Sequence, residues 1–186
     1  VLGTLSILMV ARITRRLTRS DLIGTLAGLL LAVEGMHLVL SRTGLLDLIL
    51  MFWVLAAFGL LLLDRDRTRR LLAERVSRDG IDAMATEWGP RLGLRPYRWA
   101  AAVALGLACS VKWSGLWFLA FFAIMSVVWD ISARRAVGVR RPWVATILRD
   151  APVAAVSMVA IAAVVYLASW SGWLLTPGGL ATVSDV

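Results

Sequence analysis

Cysteine, histidine and lysine occur once each in this 186-residue chain, as Cys109, His37 and Lys112. A single cysteine excludes an intrachain disulfide, and Cys109, inside an apolar run, carries no information about redox compartment. A single histidine cannot build a metal site by itself. Gly-rich phosphate loops, HExxH spacing, CxxC pairs and Ser/His/Asp patterns are all absent. Acids are scarce too, 12 against 20 Lys and Arg, a formal charge of +8. That excess does not point to nucleic acid. The arginines stand in short loops between apolar runs, and no stripe of basic residues interleaved with aromatics occurs. The charge reads as membrane topology, and no nucleic-acid partner is expected.

What the chain has in abundance is apolar length. It is 60% hydrophobic with a mean hydropathy of +0.80, which fits lipid better than a soluble core. The expected fold class is an all-α polytopic membrane protein forming part of one transmembrane domain. Spans are expected at 1–11 (partial), 22–40, 45–63, 99–111, 115–129 and 151–170, with cytoplasmic loops at 12–21, 64–98 and 130–150. The run Val1 to Val10 lacks a preceding basic region and a cleavage site, so it reads as the tail of a helix that begins upstream, not as a signal peptide. Ser20-Asp21 suits a helix cap. Arg67 to Arg78 suits a surface helix, and Trp88-Gly89-Pro90 and Arg95-Pro96 mark breaks. The stretch Trp99 to Trp129 is short for two full spans, which suggests two short helices turning at Lys112-Trp113-Ser114-Gly115. Tyr166, Trp170 and Trp173 form an aromatic girdle at the outer interface, and Thr176-Pro177-Gly178-Gly179 begins an external loop.

Counting cations by side isolates two of them. Eighteen arginines fall in the three basic loops, leaving Arg42 and Lys112 at the two opposite turns. Each tips a helical hairpin, near Glu34 and His37, which are three apart on one helical face, and near Asp47. A cation near lipid is costly without a partner. Two readings stay open. In the first, Arg42 pairs with Asp47 or a lipid headgroup and Lys112 snorkels. In the second, both cations embrace the phosphate of a lipid-linked donor. Glu34 and His37 read as a polar pair inside the bundle, with an acid/base couple as the alternative. Trp113 and Trp117, four apart, are suited to packing, interface anchoring or stacking on a sugar ring.

The run Ser41-Arg-Thr-Gly-Leu-Leu-Asp-Leu-Ile-Leu-Met-Phe-Trp53, then Leu-Leu-Leu-Asp64-Arg-Asp66, Leu105-Gly-Leu-Ala-Cys-Ser-Val-Lys112-Trp-Ser-Gly-Leu-Trp117 and Tyr166-Leu-Ala-Ser-Trp-Ser-Gly-Trp173 resembles the protein O-mannosyltransferase family, especially its actinobacterial members. The resemblance implies a GT-C type membrane glycosyltransferase. Such an enzyme moves mannose from polyprenyl-phosphate-mannose to Ser or Thr hydroxyls of exported proteins, with inversion at the sugar carbon, at the extracytoplasmic face of the bacterial plasma membrane. It implies donor-phosphate binding by Arg42, in the Arg-x-x-x-Leu-Asp segment, and by Lys112, in the Lys-Trp-x-Gly segment. Glu34, His37 and Asp47 would be supporting polar residues and Trp113 a sugar-stacking one. The family's acidic pair lies in its first external loop, upstream of residue 1. No catalytic residue is therefore expected among these 186, and the segment is expected to be inactive alone. Its partners would be membrane lipid, the lipid-linked donor and exported acceptor proteins. No cofactor other than that donor is implied, and no metal ligand is assigned. A GT-C transferase for another polyprenyl-linked sugar, a membrane transporter using Glu34, His37 and Asp47 near the midplane, and a purely structural membrane subunit stand as alternatives.

Overall fold

The computed structural model describes residues 1–90 and 92–174; the loop expected at Thr176 to Gly179 lies outside them. The described residues are helical with no strand. Leu2–Thr18 forms α1, Asp21–Val33 α2, Gly35–Thr43 α3, Leu46–Asp79 α4, Ile81–Met84 α5, Pro96–Val111 α6 and Gly115–Ala136 α7. Pro142–Ala145 is α8, Thr146–Asp150 a π-helical turn, Ala151–Ser169 α9 and Ser171–Leu174 α10. Three segments are long and apolar enough to cross a membrane: Leu46–Asp79, Gly115–Ala136 and Pro142–Trp173. The pair α2 and α3 is a fourth if it counts as one bent span. This is an all-α membrane protein.

The bend between α2 and α3 is 61°, so residues 22–40 are not one straight helix. Its cause is local. Glu34 leaves helical geometry at ψ 121 and caps α3 with its own carboxylate, which accepts from the backbone N–H groups of Met36 and His37. Gly44, at φ +65, then ends α3 in the left-handed conformation and turns the chain into α4.

Helix α4 is 34 residues long, about 51 Å at 1.5 Å per residue, far more than the ~30 Å hydrocarbon thickness. The apolar run ends at Leu63 but the helix does not. Asp66 and Arg70, and Glu74 and Arg78, follow at four-residue spacing, where opposite charges support one another on a helix surface. The segment expected as a loop from residue 64 is thus helical to Asp79, and the surface helix at 67–78 is its continuation. Similarly, α7 runs to Ala136, past the expected boundary at 129.

The main core lies where α4, α6, α7 and α9 meet, around Ala57, Leu61, Ala101, Leu105, Phe122 and Met158. Alanines on α6 let neighbouring backbones approach closely, the usual means of helix association in lipid. Outside this seam large apolar side chains are exposed all round, as on Leu29, Leu30, Phe121, Ile124, Val156 and Val164. In a membrane these face acyl chains. A smaller core of Leu72, Met84, Leu92, Ala133, Val137 and Val139 gathers at the arginine-rich end.

Candidate functional site

The turn between α6 and α7 builds one half of the site. Lys112 caps α6 in extended geometry, Lys112 O accepts from Gly115 N at 2.9 Å, and α7 starts at once. Only glycine fits at 115: an added Cβ would lie 2.7 Å from the Cys109 backbone nitrogen. This reversal projects Lys112 from the tip of the hairpin. The other half is the turn at Gly44, with Arg42 in the last turn of α3 and Asp47 in the first turn of α4.

The two turns meet through one ion pair. Lys112 Nζ donates to Asp47 Oδ1 at 2.9 Å, with both side chains about half exposed. Asp47 is therefore not Arg42's partner, as one reading of the sequence had it. Sixty-five residues separate Lys112 from Asp47, and no local spacing signals that pairing. Arg42 is exposed and makes no ion pair among the described residues, so this end of the bundle carries two cations and one carboxylate. The arrangement retains net positive charge at two turns and leaves the Arg42 guanidinium able to take a bidentate anion.

The expected polar pair of Glu34 and His37 is not what forms. Glu34 is exposed, and its carboxylate reaches the His37 backbone N–H, not the ring. His37 is buried against α1, with Nε2 donating to the Gly3 carbonyl at 3.3 Å. The buried Nδ1 has no hydrogen-bond partner among the described residues. Helix capping took the carboxylate because the backbone amides at the start of α3 lie nearer than a ring one turn on. Neither residue is in position as an acid/base couple.

Beside Lys112, a cavity of about 190 Å³ lies among α6, α7 and α9, lined by Cys109, Trp113, Leu116, Leu119, Ala162 and Tyr166 among others and almost wholly apolar. Trp113 forms its rim, exposed to 73%, and Trp117 one turn later is exposed as well. Tyr166 packs at a tilt against Trp170, and Trp170 meets Trp173 edge to face, so aromatic side chains gather at this end. The structure thus brings Lys112, Asp47 and Trp113 to one end, joined to Arg42 through the Gly44 turn. Glu34 and His37 serve the geometry of α3.

Sequence reasoning missed a second polar centre at the opposite end. Arg95 bonds to Asp64 through Nε at 3.0 Å and through Nη2, and to Asp130 through Nη1 at 2.7 Å. Arg98 Nη2 reaches Asp130 Oδ2 at 2.6 Å. All four side chains are at least nine-tenths buried. Burial acts to lower the Arg95 pKa, but Asp130 and Asp64 outweigh it and hold the guanidinium above its ordinary value. Fully buried Arg134 bridges the Asp150 carboxylate at 2.8 Å and the carbonyls of Trp88 and Pro90. All six residues lie in the stretches expected as cytoplasmic loops. Instead they lock α4, α6, α7 and the start of α9 together where the apolar runs end. The one available signal was the three-residue spacing of Arg95 and Arg98 across a helix start at Pro96.

Residues 1–73 match the family described as dolichyl-phosphate-mannose-protein mannosyltransferase. Over 93% of its length the chain is 44% identical to a polyprenol-phosphate-mannose--protein mannosyltransferase of Mycobacterium tuberculosis. It is 45% identical to the protein of that name from Mycolicibacterium smegmatis and 39% identical to that from Corynebacterium glutamicum, again over 93% of the chain. It spans about a third of the length of each, 33%. No solved structure matches it. The family match thus lies in residues 1–73, and the identity to the polyprenol-phosphate-mannose--protein mannosyltransferases continues through most of the remaining chain.

Proposed function

We propose that the protein carrying this chain transfers mannose from polyprenyl-phosphate-mannose to Ser or Thr hydroxyls of exported proteins. The reaction takes place at the extracytoplasmic face of the plasma membrane, the side opposite the three arginine-rich loops. The observation that carries this reading is the Lys112 to Asp47 pair, which ties the Lys-Trp-x-Gly turn to the turn bearing Arg42. The relatives' names supply the donor and the protein acceptor.

In this reading Arg42 and Lys112 hold the donor phosphate. As the bond between the sugar carbon and the phosphate oxygen breaks, the leaving phosphate gains charge, and fixed cations stabilise that charge more in the transition state than before it. Asp47 orients Lys112, keeping the ammonium at the tip of its hairpin until an anion competes for it. Trp113 offers a ring face to the sugar, and the apolar cavity behind it takes the first isoprene units of the tail. The general base that removes the acceptor hydroxyl's proton comes from outside these 186 residues. Glu34 is engaged with its own helix and Asp47 with Lys112, so neither takes that role. With the base on the face opposite the leaving phosphate, the reaction inverts the sugar carbon.

The test is transfer of radiolabelled mannose from polyprenyl-phosphate-mannose to a Thr-rich peptide, in membranes carrying the full-length protein. Arg42→Gln and Lys112→Gln are each expected to lower the rate by about a hundredfold, the scale of one lost transition-state contact, with normal insertion. Transfer by both variants at the unmutated rate overturns the site assignment. No transfer by the unmutated protein overturns the donor and the enzyme class.

A further inference from the structure

At the arginine-rich end, a cavity of about 570 Å³ opens between the start of α6 and the start of α9. Arg95, Arg98, Arg149, Asp150 and Ser157 line its polar part; Leu94, Trp99 and Val153 are among its apolar lining. We infer that this cavity binds the phosphate headgroup of an anionic membrane lipid from the leaflet on the arginine-rich side, a site independent of the mannose-donor reading.

Two observations carry the assignment. The first is charge. Asp64 and Asp130 balance Arg95 and Arg98, and Asp150 is engaged by Arg134, but Arg149 makes no ion pair among the described residues and has the Trp88 ring beneath it, 5.0 Å from its guanidinium carbon. Among the described residues, the four arginines in and behind this wall, Arg95, Arg98, Arg134 and Arg149, stand against three aspartates, Asp64, Asp130 and Asp150, which leaves one positive charge over. The second is shape. Leu94 and Val153 are 73% and 67% exposed on the same wall, in a membrane protein, at the level where the apolar run of α4 gives way to charge at Asp64. A ligand that fits is charged at one end and apolar at the other, which describes a phospholipid and not a free anion.

The experiment is native mass spectrometry of the full-length protein, released from nanodiscs of phosphatidylcholine mixed with phosphatidylglycerol, with the unmutated protein beside three variants. The expected result is one phosphatidylglycerol retained by the unmutated protein and about tenfold weaker retention in Arg149→Gln, the scale of one charge-assisted contact. Arg140→Gln, which removes an exposed arginine of the same loop outside the cavity, should retain it fully. Val153→Trp fills the apolar wall without touching the buried ion pairs and should abolish retention. Equal losses in Arg149→Gln and Arg140→Gln would mean diffuse surface attraction and overturn the site. Full retention in Val153→Trp would place the lipid elsewhere and also overturn it. A second arm adds inorganic phosphate at millimolar concentration: complete displacement of the lipid would make the ligand a soluble anion and overturn the lipid assignment.

Discussion

Lys112 and Asp47 stand 65 residues apart in sequence and 2.9 Å apart in space. Their pairing is the only ion pair among the described residues that joins the two turns on the side away from the basic loops. Both side chains are about half exposed, at 52% and 54%, so the pair contributes only ~0–1 kcal/mol to stability.

That weakness makes function and folding separable at this site. Asp47→Lys combined with Lys112→Asp preserves an ion pair while moving the cation from one turn to the other. The swap is expected to keep Tm within about 3 °C of the unmutated protein, in line with so small a contribution, while mannose transfer stays near background. Thermal unfolding in detergent and the peptide transfer assay read the two effects. Full transfer by the swapped protein would mean that Lys112 matters only as half of a bridge.

The buried centre at the other end behaves in the opposite way. Arg98→Ala leaves Asp130 in a buried site with one of its two arginines gone, a loss on the order of 3–5 kcal/mol. A fall in Tm on the order of 10 °C is expected. Arg98→Met with Asp130→Leu removes a whole pair and leaves Arg95 with Asp64, so it should recover most of the loss. If the double variant is no more stable than Arg98→Ala, the cluster is not held by mutual compensation of charge.

Glu34 supplies a third test, because its carboxylate acts here as a helix cap. Glu34→Gln keeps one of the two acceptor oxygens that the Met36 and His37 amides use, and should transfer mannose within about threefold of the unmutated rate, whereas loss of an acid/base group costs roughly a hundredfold or more. Glu34→Ala removes the cap and should cost about 1 kcal/mol of stability. A hundredfold loss of transfer in the Gln variant at normal Tm would instead put the carboxylate in the chemistry.

The helical membrane architecture was legible from the sequence because lipid imposes a one-dimensional rule: each spanning segment needs about 20 apolar residues, and its backbone must satisfy itself. The isolation of Arg42 and Lys112 was legible for the same reason, since the other 18 cations fall between apolar runs. Local chemistry extended that reach where it was read closely. Gly44 and Gly115 stand at the expected turns, whereas the cap that Glu34 forms on α3 was not read from the sequence.

Which charges meet was decided only in three dimensions. Asp47 had a cation five residues away and another 65 residues away, and the tertiary structure gave it to the distant one. Asp64, Arg95, Arg98 and Asp130 looked like solvated loop residues, because periodicity reports a helix face and not what lies across from it. Packing α4 against α6 and α7 brought them within hydrogen-bond distance. The physical reason is range. Hydrophobic length and backbone capping are set by neighbours within a turn or two of the chain, whereas an ion pair forms between whichever charges the folded helices place side by side.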